Sequence, residues 1–140
     1  YNALPEGLKE NIINTKVVSS HGSTSGETNF TSEDKIYLLS TKEVWGKEGT
    51  TNTIDYDTAE AETRQLDYYK ANGVTTAGYS RGITARYLGA IKNYNGSSAI
   101  WWLRSAVSIY TNFFYSVAST GNWSSRNAND SLGVAVAFRI

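Results

Sequence analysis

The side chains that would support catalysis or bind a metal ion are few and scattered. His21 is the single histidine, the chain has no cysteine, and no acidic cluster accompanies His21 at ligand spacing. Asn127, Asn129 and Asp130 offer oxygen atoms to calcium, but the acidic partners that a calcium site needs are missing. We therefore expect no metal ion and no cofactor, and we interpret His21 as a solvated loop residue.

The segment GYSRG, residues 78–82, has the G-x-S-x-G spacing of the nucleophile turn in hydrolases. That turn needs a buried strand before it, and the preceding VTTA is short and polar. It also needs a base, and His21 is far away in the sequence. Because no acid–base pair or metal-ligand set accompanies the serine, the sequence predicts a protein that is not an enzyme.

Apolar and aromatic side chains occur instead inside the most polar part of the chain. In SIYTNFFY, residues 108–115, Ile109, Tyr110 and Phe113 fall where a turn is predicted. Exposed aromatic residues in loops mark binding surfaces more often than they serve packing. This segment is therefore a candidate for ligand binding.

The neighbouring segments are interpreted as the rigid support of that region. Of Trp101 and Trp102, one ring is expected in the core and the other at its boundary, in preference to a sugar-stacking platform. Arg104 is expected to hold nearby carbonyls or a carboxylate rather than a ligand. The segment GVAVAFRI, residues 133–140, is expected to form a closing strand with alternate side chains on one side.

Residues 105–140 have an unusual composition. Residues 1–104 contain seven Lys, eight Glu and one Gln, whereas residues 105–140 contain none of these types. Randomising both adenines of an AAC or AAT codon gives this result, because the genetic code then excludes only Lys, Glu, Gln, Met and Trp. Trp123 is the one exception in the segment. The alternative is a turn-rich β region, since Lys and Glu are depleted in strands.

Periodicity and turn signals predict an α+β domain. Helical segments are predicted over residues 5–14, 41–46, 57–73 and 83–94. Strands are predicted over residues 15–20, 35–40, 99–105, 112–119 and 132–140, and residues 21–34 are predicted to be a loop. This order places helices in the N-terminal half and antiparallel strands in the C-terminal half.

Five segments, in this order, resemble conserved blocks of the variable proteins of diversity-generating retroelements, in particular a gut-bacterial and phage group. They are KIYLLSTKEVWG, QLDYYKANGVTTAGYS, AIKNYNGSSAIWWLRSA, FYSVASTGNW and GVAVAFRI. The family usually has proline where this chain has Val136. The resemblance implies a C-type-lectin-like fold over residues 1–140, as one ligand-binding domain. It also implies that residues 105–132, approximately, are rewritten by adenine-directed mutagenesis.

Resemblance and composition together predict a non-enzymatic recognition domain, an adhesin or receptor-binding module. Its ligand is expected to be a protein or glycan on a cell surface. The domain is expected to be extracellular, attached to a larger bacterial-surface, pilus or phage-tail protein. The side chains expected to form one accessible ligand-binding face are Ser108, Ile109, Tyr110, Thr111, Asn112, Phe113, Ser116, Ala118, Thr120, Asn122, Ser124, Ser125, Arg126, Asn127, Asn129 and Asp130.

Net charge and the length of apolar runs limit the kinds of partner that the chain is expected to bind. Thirteen basic and thirteen acidic residues give zero net charge, which disfavours binding to nucleic acid. No apolar run has the length of a membrane span, so direct insertion is not expected. No signal-peptide pattern is present, and we interpret the chain as an excised domain or mature fragment. Two alternatives remain open: a structural β-rich module of a surface protein, and an enzyme on the same scaffold.

Overall fold

The computed structural model describes residues 1–19, 28–46, 64–75 and 87–140. Three short helices lie in these ranges: α1 (Glu6–Lys9), α2 (Thr41–Trp45) and α3 (Asp67–Ala71), with a 3₁₀ turn at Leu88–Ala90. The strands are β1 (Thr15–Ser19), β2 (Phe30–Asp34), β3 (Tyr37–Leu38), β4 (Lys92–Tyr94), β5 (Ser97–Ala99), β6 (Trp101–Ala106), β7 (Phe113–Val117), β8 (Trp123–Asn127) and β9 (Val136–Ala137).

The strands form small antiparallel sheets. In the described residues β1 pairs with β2, β3 with β9, and β4 with β5, while β6, β7 and β8 form a three-stranded sheet in that order. The combination of a few helices with antiparallel strands confirms the coarse prediction. The separation into halves is wrong, because β1, β2 and β3 lie in the first 38 residues.

The core lies between α2, α3 and the inner face of the three-stranded sheet. Val44 and Trp45 of α2 are fully buried, and they join Tyr69 of α3 in one apolar cluster. From the sheet, Trp101 and Leu103 enter the same cluster, because alternate residues of a strand point to the same face. This cluster fixes the position of β6 and therefore of the sheet.

Helix α2 begins at Thr41, the first residue of its predicted range. Ser40 is the N-cap: its hydroxyl accepts a hydrogen bond from the Glu43 backbone N–H at 3.3 Å. The Glu43 carboxylate in turn accepts from the Ser40 N–H at 2.8 Å, which completes a capping box. The helix ends as predicted at Gly46, whose φ of 72° is the left-handed conformation that glycine adopts without strain.

Two differences from the predicted elements concern residues 30–34 and residues 87–94. Residues 30–34 were predicted to be loop and form β2, paired with β1. The C-terminal part of the helix predicted over 83–94 is a 3₁₀ turn followed by β4. Asn95 and Gly96 explain the second difference: their φ angles of 49° and 80° make the tight turn that joins β4 to β5.

Other predictions extend beyond what the structure describes. The helix predicted over 57–73 is helical at Asp67–Ala71, and its residues 57–63 lie outside the described ranges. His21, GYSRG and residues 83–86 also lie outside them. Near the start of the chain, α1 is shorter than the predicted 5–14. No described helix is long and apolar enough to cross a membrane.

Tyr69 is expected to make the fold sensitive to alkaline pH. Burial raises its pKa to about 12, with smaller contributions from Tyr68 and Glu43. The unfolded chain ionises this phenol near pH 10, so the stabilisation is present below pH 10 and is lost as pH rises towards 12. The loss is about 3 kcal/mol for two pKa units. Urea unfolding between pH 8 and 12 should therefore show a weaker decline in Tyr69→Phe than in the wild type.

Tyr68→Phe is the control for this prediction, because the Tyr68 ring is exposed and lies next to Tyr69. It should reduce the alkaline decline only slightly, because Tyr68 contributes less to the raised pKa of Tyr69 than burial does. An identical pH profile for the wild type and Tyr69→Phe would contradict the role of Tyr69.

Candidate functional site

The inner face of the three-stranded sheet belongs to the core. Tyr115 and Val117 of β7 are fully buried there, as strand alternation predicts. Val117 lies opposite Trp123 of β8 and Trp101 of β6, and the Tyr115 and Trp123 ring centroids are 5.8 Å apart. Side chains on this face hold the sheet in place and are not accessible to a large ligand.

The opposite face carries a different set of side chains. Phe114 lies directly across from Arg126, and Ser116 lies between Trp102 on β6 and Ser124 on β8. Phe114 and Arg126 are exposed, and Trp102 is half-buried. We call Trp102, Phe114, Ser124 and Arg126 the outer face.

Ser116 does not contribute an accessible side chain. It was predicted to point outwards and be accessible, but it is fully buried in the central strand. Its hydroxyl has no hydrogen-bond partner among the described residues. The strand alternation was predicted correctly and the accessibility was not, because Ser116 lies in the central strand, with Trp102 on one side and Ser124 on the other.

One end of the sheet holds an exposed loop. Val107 is buried, and its N–H donates to the Phe113 carbonyl at 3.0 Å, which closes the loop over residues 108–112. Ile109 and Tyr110 are about half exposed, and the Tyr110 ring lies 5.0 Å from that of Phe113. We call residues 108–112, together with the neighbouring turn 128–130, the loop end.

The two segments of the loop end are tied to each other by hydrogen bonds. The Asn112 side-chain amide donates to the Asn127 side chain at 2.6 Å, and the Ala128 N–H donates to the Asn112 carbonyl at 2.8 Å. Thr111, Asn129 and Asp130 are exposed here, and Ser108 is half-buried. The structure therefore brings together these predicted residues, which come from two distant parts of the sequence.

Three predicted site residues lie at the other end of the sheet. Ala118, Thr120 and Asn122 belong to the turn between β7 and β8, about 14 Å from the loop end for a five-residue strand. The Thr120 carbonyl accepts from the Tyr87 N–H at 3.0 Å, and Asn122 is only 5% exposed. The predicted single face is therefore wrong for these residues, and the predicted accessibility is wrong for Asn122.

Strand β8 is the element that the sequence did not reveal. Residues 122–130 lie between the last two predicted strands, over 112–119 and 132–140, and no strand was predicted there, but Trp123–Asn127 pair with β7 along its whole length. Ser125 and Asn127 consequently lie on the opposite side of the sheet from Ser124 and Arg126. The segment WSSRN has no apolar alternation, so nothing in its pattern indicates a strand.

Two outer-face residues were absent from the predicted site. Phe114 is 37% exposed, and Trp102 was assigned to the support. Strand alternation could have predicted the exposure of Phe114, because this residue precedes the buried Tyr115 and therefore points to the opposite face. The prediction for the tryptophan pair is confirmed: Trp101 is 1% exposed and Trp102 occupies the boundary.

Arg104 has the supporting role predicted for it. Its Nε donates to the Val18 carbonyl at 3.2 Å, and its Nη1 donates to the Leu38 carbonyl at 2.8 Å. Nη1 also lies 2.5 Å from the Glu43 carboxylate, and both side chains are about nine-tenths buried. Since Glu43 also caps α2, this pair joins β1, β3, β6 and α2.

The outer face and the loop end carry polar and aromatic groups rather than a cluster of titratable side chains. In the part of the chain that the structure describes, no group of three or more His, Cys, Asp or Glu side chains lies together. The two regions instead offer aromatic area, one exposed guanidinium, and amide and hydroxyl groups. Rigid aromatic residues with Ser and Asn are the materials of antibody binding sites, where they give contact area and adaptable hydrogen bonds.

Comparisons with known proteins identify a family. No curated protein matches the chain with significance, and no solved structure does so either. A family model covers residues 1–140, and its description is a domain of unknown function, DUF6273. The chain therefore belongs to the DUF6273 family.

Proposed function

We propose that this chain is a non-enzymatic recognition domain with a C-type-lectin-like fold. It binds a protein or glycan ligand outside the cell, through the outer face and the loop end. In this proposal the domain is displayed on a bacterial surface, pilus or phage tail as part of a larger protein. The short helices and antiparallel strands are compatible with that fold.

The observation that carries the proposal is the contrast between buried and exposed side chains within residues 105–132. Tyr115 and Val117 are buried in the core, whereas Tyr110, Phe114 and Arg126 are exposed. The exposed side chains can change without removing a core contact, so ligand binding can vary while the fold persists. The absence of Lys, Glu and Gln from residues 105–140 supports diversification of this segment by adenine-directed mutagenesis.

The binding role is tested by replacing Tyr110, Phe114 and Arg126 together with serine. Phe113, although a predicted site residue, is left unchanged because it packs against the core cluster. Surface substitutions usually change stability by about 0.5 kcal/mol or less each, so the triple variant should fold. Exposed aromatic and arginine side chains carry most interface energy, so it should bind at least about 100-fold more weakly. The measurement is a screen of the wild type against surface proteins and glycans, followed by titration of each variant.

A matched control removes two exposed tyrosines and an exposed arginine elsewhere. Tyr68, Tyr94 and Arg64 are exposed and lie away from both the outer face and the loop end. Their replacement by serine should leave ligand affinity unchanged. Equal losses in both triple variants, or wild-type affinity in the first, would contradict the proposed site.

Diversification itself is tested in the DNA. The codons of exposed residues in 105–132 should correspond to AAC or AAT codons in a nearby, near-identical template repeat, beside a reverse transcriptase gene. A structural module of a surface protein would have neither. Absence of the repeat would contradict diversification by a retroelement. The binding experiment would still test whether the domain recognises a ligand.

A further inference from the structure

A cavity of about 470 Å³ opens beside the outer face. Its lining includes Ser19, Leu38, Trp102, Arg104, Phe114 and Ala128. These residues come from the ends of β1 and β3, from β6 and β7, and from the turn after β8. The volume lies in the range of roughly 300–1,000 Å³ that is typical of ligand sites.

The lining of this cavity is mainly carbon. Leu38, Trp102 and Phe114 contribute apolar surface. Arg104, the one charged residue of the lining, already donates to two backbone carbonyls and to Glu43. A sugar needs several convergent polar groups for its hydroxyls, and desolvating hydroxyls without partners is unfavourable. The lining therefore fits an aliphatic or aromatic side chain better than a sugar.

The positive charge of Arg126 beside the cavity indicates which ligand group lies next to the bound apolar side chain. Arg126 lies directly across from Phe114 in the strand register and is exposed. None of the lining residues is acidic. Because a guanidinium binds a carboxylate with two parallel hydrogen bonds, a ligand carboxylate next to the apolar group complements this rim.

We propose that the cavity receives an apolar side chain of a protein ligand and that Arg126 pairs with a carboxylate beside it. The inference rests on the recognition function proposed above and specifies its ligand class. Ser19, Leu38 and Trp102 precede the variable segment, whereas Phe114, Arg126 and Ala128 lie within it. Leu38 and Trp102 therefore give the same apolar contact in every variant. The residues within the variable segment, such as Arg126, select among ligands.

The test uses small probes on the full chain. N-acetyl-L-phenylalanine, its amide and methyl β-D-galactoside are titrated while the indole N–H signal of Trp102 is followed by NMR. For a probe of this size we expect a dissociation constant on the order of 1 mM for the carboxylate. The amide should bind about fivefold more weakly, as for the loss of one exposed ion pair. The galactoside should cause no saturable shift.

Three variants locate the binding. Ala128→Leu should abolish the Trp102 shift by filling the cavity, and Ser19→Leu fills it from the opposite wall if the first variant unfolds. Arg126→Ser should make the carboxylate and the amide bind equally. Ala71→Leu is the matched control, because Ala71 is exposed on α3 and should leave binding unchanged.

Several outcomes would overturn the inference. These are no saturable shift with either phenylalanine probe, unchanged binding in both cavity-filling variants, or binding of the galactoside alone, which would assign the cavity to glycans. If the cavity binds neither phenylalanine probe while the Tyr110, Phe114 and Arg126 variant still loses its ligand, the recognition function stands without this pocket. If a probe binds in the cavity but the screen finds no ligand, the recognition function fails, and the cavity is still a binding site for the probe.

Discussion

Trp101→Ala is expected to lower the free energy of unfolding by about 3–5 kcal/mol, the usual range for removing a buried tryptophan. Trp101 is 1% exposed and packs within the main apolar cluster. Its indole N–H also donates to the Ala90 carbonyl at 3.0 Å, so alanine leaves both a cavity and an unpaired carbonyl. This loss is a large share of the 5–15 kcal/mol that is typical of small domains.

The matched control is the adjacent Trp102→Ala. Because Trp102 is half-buried on the outer face, it should cost clearly less than Trp101→Ala. Trp101→Phe helps to separate the two contributions, since it removes the hydrogen bond to Ala90 and keeps a buried aromatic ring in part of the indole volume. Urea unfolding of the three variants measures the differences, and equal losses at positions 101 and 102 would show that β6 faces the core differently.

Breaking the ion pair between Arg104 and Glu43 is expected to have a similar cost. Arg104→Met leaves the Glu43 carboxylate buried with one charged partner fewer, and it removes the donors to the Val18 and Leu38 carbonyls. Removing one partner of a buried pair costs about 3–5 kcal/mol, because the remaining charge stays desolvated. Melting and urea unfolding of the variant should show this loss directly.

A double-mutant cycle distinguishes pairing from packing. Glu43→Gln keeps the shape of the capping side chain and removes its charge, and it is combined with Arg104→Met. If the two charges stabilise each other, the double variant should be less destabilised than the sum of the single variants, by about 0.5–3 kcal/mol. Additive losses would show that Arg104 acts mainly through the two carbonyls.

These two predictions concern the residues that support the outer face. The apolar cluster around Trp101 lies on the inner side of the sheet, and the Arg104–Glu43 pair lies where the sheet meets β1, β3 and α2. Trp101 is fully buried within this support, whereas Trp102 and Phe138 are only partly buried.

The C-terminal strand shows how tertiary contacts reverse a sequence pattern. GVAVAFRI was expected to form a closing strand with alternate side chains on one side. In the structure only Val136–Ala137 form a strand, and Val134 and Val136 are 66% and 46% exposed. The smaller side chains of Ala135 and Ala137 pack against the core cluster.

The sequence by itself determined the elements whose signals are local. The helix that ends at Gly46, the strands around Trp101 and Tyr115, and the different environments of the two tryptophans follow from capping, alternation and residue size, which act over a few neighbouring residues. The sequence also predicted that Arg104 binds carbonyls or a carboxylate, since a guanidinium beside a buried strand needs hydrogen-bond acceptors. Its partners Val18, Leu38 and Glu43, however, lie more than sixty residues away.

Only the tertiary structure decided which predicted site residues lie together. Strand β8 forms because β7 offers it a hydrogen-bonding edge, and its own residues carry no β pattern. That pairing places Arg126 across from Phe114, turns Ser125 and Asn127 to the other side, and puts Thr120 and Asn122 at the far end of the sheet. A binding surface is made of residues that are close in space, and strand pairing over long sequence distances determines that closeness.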